Sequence, residues 1–301
     1  MTKDNKETIL ILGATGNVAS LVAKLLDKSK HANLRLTSSR ENGVEKLAAQ
    51  FPQTEVMQAD WNSLPSMKKA FDGVSRALII TPDFYTDEQV VSQNILDAAK
   101  YACTVRQLVK MIAIPENVEL ADFTEESLAT RSGANLSIIA KPIFEGSGMP
   151  FTFVNVKCWI SFTLLWFFAE NIKQHSQFSF PDIANYPRRY INEGDIAEFI
   201  VKVMSDAYVG KELVITGEHN YDFNDIAKEL SNTLGREINY HEGEKSLREI
   251  MQDDFPTIMN YLKHERTIFQ GVSRTNTFEE IMERKPASMS DYILLHKEAF
   301  I

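Results

Sequence analysis

The chain has 301 residues, 44% of them hydrophobic, with 32 lysines and arginines against 41 aspartates and glutamates, a formal charge of −9. That length can bury a full core and accommodates one large α/β domain plus a smaller lobe, while an acidic balance without a lysine or arginine run argues against nucleic-acid binding through a basic surface. Cys103 and Cys158 are far apart and outside Cys-x-x-Cys spacing, so neither a disulfide framework nor a zinc site is suggested, and a reducing cytoplasm fits best.

Residues 1–7 are polar and lack the apolar core of a signal peptide. A short apolar run at 9–12 then enters the turn Gly13-Ala14-Thr15-Gly16 and a helix predicted over 17–28, beginning Asn17-Val18. Gly13 permits a sharp turn at a strand end, Gly16 lets backbone N–H groups approach a pyrophosphate, and the helix N-terminus offers partial positive charge. The third small position is Ala19, not glycine, so the pattern draws its weight from context: Val18, Leu21, Val22, Leu25 and Leu26 follow at helical spacing. Further strand-like runs at 34–37, 55–58, 77–81 and 105–112 alternate with helical segments at 43–50, 63–71 and 87–101, the last two opened by the caps Ser63 and Asp87. This alternation predicts an α/β fold, a doubly wound parallel sheet whose carboxyl strand ends, and ligand crevice, lie on one edge.

Beyond 115 the pattern loosens. An acidic, polar stretch at 115–132 reads as a surface excursion before a helix over 136–146, and 151–156 reads as a sixth strand. An aromatic helix is expected over 159–174. The apolar stretch 158–169 is too short to span a bilayer. The segment 183–195 leads into a helix at 196–204, followed by a strand at 212–216 and a helix at 223–234 ended by Gly235. The remainder alternates acidic and apolar residues at helical spacing. The expected division is a dinucleotide-binding domain over 1–156 and a smaller, mixed α/β substrate lobe over 157–301, with some segments returning to the first domain.

Several motifs in order resemble the NmrA-like branch of atypical short-chain dehydrogenases/reductases, an extended Rossmann family. They are Gly13-Ala14-Thr15-Gly16, Ala59-Asp60-Trp61, Val105-Arg106-Gln107-Leu108-Val109-Lys110-Met111, Ser147-Gly148-Met149-Pro150-Phe151-Thr152, Gly194-Asp195-Ile196-Ala197, Thr216-Gly217-Glu218, Leu234-Gly235-Arg236 and the tail from Asp291-Tyr292-Ile293. The resemblance implies a nicotinamide-dinucleotide site across the first and fourth strands, closed by a smaller C-terminal lobe. In that frame Asp60 is placed to accept from an adenine amino group, Trp61 to flank the ring, and Thr81 and Pro82 to sit near the nicotinamide-side ribose. The alternative for these positions is an ordinary exit from strand to loop. The second strand ends Thr37-Ser38-Ser39-Arg40. An acidic residue there would bind the ribose 2′-hydroxyl of NAD, whereas Arg40 with the hydroxyls of Ser38 and Ser39 can hold a 2′-phosphate, which favours NADP(H) over NAD(H) despite the adjacent Glu41.

The catalytic pattern departs from the family. No Tyr-x-x-x-Lys precedes the sixth strand. Counting back from Pro150, the family's frequent His or Lys position falls on Ser137 and its usual Glu position on Lys141. The serine often found at the end of the fifth strand aligns with Ile112, and the arginine and proline after the sixth become Asn155 and Val156. Ser137 and Lys141 lie one helical turn apart, so the lysine could orient the hydroxyl or touch the cofactor ribose. The competing reading is a solvent-facing lysine and an N-cap serine.

On the substrate side, Phe84 and Tyr85 follow the fourth strand, and Lys157, Trp159, Phe162, Trp166, Phe167 and Phe168 crowd one segment. Such a set suits a flat apolar ligand, although aromatic stripes at helical spacing also build cores. The six histidines show no ligand spacing, so no metal is expected. The leading expectation is an NADPH-dependent oxidoreductase acting on a small hydrophobic unsaturated metabolite (enone, quinone or iminium), whose electrophilicity makes a strong protein acid dispensable. The alternatives are a non-catalytic NADP-sensing regulator with a protein partner, and a non-redox isomerase or cyclase on the same fold. A homodimer through the C-terminal lobe is a further partner expectation; direct nucleic-acid or membrane binding is not expected.

Overall fold

The computed structural model describes residues 6–301; the signal-peptide reading of the N-terminus therefore falls largely on 1–5, outside the described residues. The strands, in chain order, are β1 (Thr8–Ile11), β2 (Asn33–Ser38), β3 (Glu55–Gln58), β4 (Arg76–Ile79), β5 (Gln107–Ile112), β6 (Phe151–Val156), β7 (Trp159–Ile160), β8 (Gln177–Phe180), β9 (Arg188–Ile191), β10 (Glu212–Ile215), β11 (Asn220–Tyr221) and β12 (Asn239–Glu242). A seven-stranded sheet has the order β10-β6-β5-β4-β1-β2-β3. The pairings from β3 through β6 are parallel, which puts the carboxyl ends of these strands on one edge. The order reverses between β4 and β1, the switch point at which open α/β sheets bind ligands.

Parallel strands covered on both faces read as continuous apolar runs, and all four residues of β4 are buried. The helices Asn17–Ser29, Glu41–Gln50, Leu64–Phe71, Glu88–Ala102 and Gly133–Glu145 alternate with these strands. Ser63 and Asp87 cap as their types predict, accepting from the backbone N–H of Ser66 and Val90.

The chain forms two compact units, each discontinuous in sequence. The first comprises the described residues up to 114, with 131–155 and 196–213, and the second 115–130, 156–195 and 214–301. In the first, Leu10, Leu36, Leu78 and Leu108 are completely buried along neighbouring strands. In the second, Phe168, Phe178, Phe180 and Phe223 form a buried aromatic cluster, with Phe168 stacked on Phe178 at 4.4 Å. This unit holds the antiparallel β9–β11 pair and the parallel β7–β9 and β8–β12 pairs.

Several predicted elements differ. β4 ends at Ile79, not residue 81, leaving Thr81 and Pro82 in the following loop. The single aromatic helix over 159–174 is replaced by β7 and two short helices, Phe162–Phe167 and Ala169–His175. Trp159 and Ile160 pair with Tyr190 and Ile191, and the break between the helices falls at Phe168, which sinks into the aromatic core. The excursion at 115–132 contains the helix Glu125–Ala129 and buries Phe123. The helix expected from 196 begins at Glu193, and the acidic C-terminal stretch contains β12 as well as helices. Among the described residues no helix is long and apolar enough to cross a membrane.

Candidate functional site

The turn after β1 is closed by backbone bonds: Gly16 N–H donates to Gly13 O at 2.9 Å and Ala14 N–H to Thr37 O at 2.8 Å. Gly13 has φ +63, a left-handed conformation that costs glycine little. A Cβ on Gly13 would also come within 3.1 Å of the Trp61 ring. Gly16 is the N-cap of the helix Asn17–Ser29, which has neither a capping side chain nor an acidic residue in its first turn. Its first N–H groups are thus uncovered by side chains, and Thr15, Gly16 and Asn17 are exposed while Ala14 and Val18 are buried. This is the donor set a pyrophosphate requires.

Beside it, at the end of β2, Ser38 is buried and Ser39 and Arg40 are exposed. The Ser38 hydroxyl accepts from Arg40 N–H at 3.2 Å. Arg40 is the N-cap of the helix Glu41–Gln50, and its guanidinium has no hydrogen-bond or ion-pair partner among the described residues. Gly43, which the sequence reading passed over, is required by sterics: a Cβ there would lie 2.1 Å from Ser38 Oγ and 3.3 Å from Thr15 Cγ2. Its absent side chain is what lets this helix approach both the β1 turn and the end of β2.

At the end of β3, Asp60 is exposed and accepts from Asn62 N–H at 3.0 Å. Trp61 is 6% exposed and packs against Gly13, so its ring supports the glycine turn. Past β4, Thr81 is half-buried and Pro82 exposed. The loop continues through Asp83, which accepts from Gly133 N–H at 2.9 Å. Solvent reaches Asp83 at the rim, yet the protein atoms around it desolvate the carboxyl and, with Glu88 nearby, push its pKa up to about 6 against the opposing Gly133 bond.

Ser137 and Lys141 each have their own partners. The Ser137 hydroxyl donates to Gly133 O at 3.0 Å and accepts from Ala113 N–H at 2.9 Å. It lies inside the helix whose N-cap is Ser132, which corrects the N-cap reading of Ser137: the helix begins at Gly133, four residues earlier. Lys141 is bound to Glu212 at 2.6 Å. Asn155 links the same region, accepting from Ile114 N–H, donating to Ile114 O, and donating to Glu212 Oε1 at 2.6 Å. Ser137 and Asn155 together therefore clamp the backbone immediately after Ile112, where β5 ends.

In the second unit, Lys157 and Trp159 line a pocket with Cys158, Arg188, Arg189 and Glu265. Arg188 and Glu265 form a buried ion pair at 3.3 Å. The guanidinium of Arg188 lies 3.9 Å from the Trp159 ring centre and 4.0 Å from that of Tyr186, and Trp159 Nε1–H donates to Glu265. Burial raises the Glu265 pKa, opposed by Arg188 and by the Trp159 hydrogen bond. Burial also pushes the Cys158 thiol up to about 12, leaving it a poor nucleophile. Phe162 and Trp166 stack on each other apart from this lining, with Trp166 46% exposed. Phe84 and Tyr85 belong to the first unit, where Tyr85 is 74% exposed. Phe167 and Phe168 are core residues. The Arg188–Glu265 pair was missed in the sequence because its members lie on segments 77 residues apart.

The model of the NmrA-like family matches residues 5–293. A (4-alkanoyl-5-oxo-2,5-dihydrofuran-3-yl)methyl phosphate reductase from Streptomyces griseus is 26% identical over 302 residues, covering 97% of this chain and 99% of the relative. The structure of an NADPH-dependent quinone oxidoreductase from Escherichia coli, complexed with NADPH, is similar with a TM-score of 0.77 at 19% identity, covering 96% of this chain and 99% of that one. NmrA, a negative transcriptional regulator solved in complex with NAD, gives a TM-score of 0.73 at 18% identity and 98% coverage of both chains. At these identities the two solved structures speak for the shared fold. The family match, spanning the glycine turn, the strand ends around it and most of the second unit, identifies the chain as a member of the NmrA-like family.

Proposed function

We propose that the protein is an NADPH-dependent reductase that passes hydride to a small, hydrophobic, unsaturated electrophile such as an enone, quinone or iminium. The observation that carries this reading is the uncapped helix N-terminus after Gly16, at the switch-point end of β1, with Arg40, whose guanidinium has no partner among the described residues, just past the adjoining strand β2. Backbone N–H groups over 13–18 would hold the pyrophosphate; Ser38, Ser39 and Arg40 the 2′-phosphate; Asp60 the adenine amino group, with Trp61 bracing the turn; Thr81 and Pro82 the nicotinamide half. When bound, the reduced nicotinamide supplies the hydride. Within the second unit, Lys157 and Trp159, which line its pocket, are proposed to contact the substrate. Ser137 acts here as a support of the backbone after β5, and Lys141 as the partner of Glu212, which also accepts from Asn155. An electrophile already activated toward hydride needs no strong side-chain acid, and the reductase named as a relative is consistent with such a substrate.

The test is a fluorescence titration of cofactor-stripped protein with NADPH and NADH, followed by NADPH oxidation against a panel of enones, quinones and iminium dyes. Tight NADPH binding and turnover with at least one class is the expected result. Confirmed NADPH binding without oxidation across the panel overturns it. A second reading, a dinucleotide-sensing regulator, is favoured by the engagement of Ser137, Lys141 and Asn155 in backbone and ion-pair bonds. It predicts capture of a protein partner that changes with NADP or NADPH occupancy.

A further inference from the structure

Lys110 stands in the middle of β5 with its side chain 1% exposed. Taking an ammonium out of water costs several kcal/mol unless it is paired, and its partner is Glu88, 2.8 Å away and itself 0% exposed. Glu88 opens the helix Glu88–Ala102 directly after Asp87 and accepts from the Ser92 hydroxyl at 2.7 Å. Its other oxygen is buried without a hydrogen bond. The same lysine ammonium lies 3.4 Å from Thr81 Oγ1. One buried cation therefore touches both ends of the loop that leaves β4, at Thr81 and at Glu88.

Three further bonds tie the loop between these ends. Thr86 Oγ1 donates to Pro82 O at 2.5 Å, Gly133 N–H to Asp83 at 2.9 Å, and Phe84 N–H to Arg131 O at 2.6 Å. Phe84 has φ +70, a left-handed conformation that a bulky residue keeps only where its surroundings over-determine it. The neighbouring residues of β4 and β5, Leu78, Ile79, Leu108 and Val109, are apolar and completely buried, so sheet packing alone would be served by an apolar side chain at 110. A charge placed there at the cost of desolvation, reaching both ends of a strained loop at the switch-point edge, is a clasp on that loop.

We propose that Lys110, acting through Thr81 and Glu88, is the positioning residue that holds the loop 80–87 in the conformation that receives the nicotinamide half of the dinucleotide. This rests on the dinucleotide reading given above. The test compares two probes, NADPH and adenosine 2′,5′-bisphosphate, which carries the adenine half alone, on wild type, Lys110→Met and the paired variant Lys110→Met with Glu88→Gln. The paired variant removes both charges and keeps an acceptor for Ser92, so it is expected to melt close to wild type. Expected is a loss of about tenfold or more in NADPH affinity in the paired variant, with bisphosphate affinity within about twofold of wild type. An unchanged NADPH affinity, or an equal fall for both probes, overturns the positioning role. Should Lys110→Met not fold, the paired variant decides. A wild-type protein that binds neither probe refutes the dinucleotide reading itself, and this inference with it.

Discussion

Replacing Glu265 offers a direct measure of how the second unit tolerates charge in its interior. The side chains of Arg188 and Glu265 are 4% and 1% exposed. Glu265→Leu would strand the guanidinium between the rings of Trp159 and Tyr186, with the Ala184 carbonyl as its remaining acceptor, and would orphan Trp159 Nε1–H. Removing one member of a buried pair costs about 3–5 kcal/mol, and an orphaned buried donor about 1–3 kcal/mol. These terms overlap because they share one carboxylate, and the cation–π contacts are present with and without Glu265, so the expected loss is about 4 kcal/mol. With a urea m-value of about 3 kcal/mol/M, the unfolding midpoint falls by about 1.3 M. Glu265→Gln keeps an acceptor for the indole and should lose about half as much. Arg188→Met combined with Glu265→Leu replaces the pair by apolar volume and should return to within about 2 kcal/mol of wild type. Urea unfolding followed by tryptophan fluorescence reads all three. A Glu265→Leu midpoint within about 0.3 M of wild type, or a double variant no more stable than the single one, would refute the view that the charge pair, and not the packing of its carbons, dominates here.

Arg40→Gln should weaken NADPH binding by about ten- to a hundredfold, the worth of a charge-assisted hydrogen bond, while NADH binding changes by less than about twofold; equal losses for both nucleotides would remove the 2′-phosphate role. Ser137→Ala should lower stability by about 1–3 kcal/mol, because Ala113 N–H loses its acceptor, and Lys141→Met should do less. Turnover of an electrophilic substrate by either folded variant should stay within about twofold of wild type, and a loss beyond about a hundredfold would make it an acid–base residue. The carboxyl of Asp83 is pushed from its ordinary 3.8 up to about 6 in the folded protein, so the folded state binds this proton more tightly than the unfolded one. Its contribution to stability is present below pH 3.8 and is lost as pH rises toward 6. Asp83→Asn abolishes that decline, and its melting temperature relative to wild type should climb between pH 4 and 6; a constant difference across that window refutes the assignment.

The parts of this protein legible in its amino-acid sequence are those decided within a few residues of chain. The glycine turn at 13–16, the caps Ser63 and Asp87 and the apolar parallel strands each follow from local sterics, side-chain reach or hydrophobic period, and the structure places them where those rules put them. Tertiary structure alone decided the rest. Ser137 and Lys141 look like a pair at helical spacing, but Ala113 and Glu212, 24 and 71 residues away, take their polar atoms. Periodicity gave the aromatic segment after Lys157 to one helix; pairing with β9 and burial of Phe168 broke it. A lysine inside the apolar run of β5 was visible from the start, yet its meaning depends on Glu88 arriving from the next-door helix at 2.8 Å. Short-range chemistry is written residue by residue along the chain, whereas a buried charge or a two-residue strand has its partner chosen by the packing of distant segments, which no local window contains.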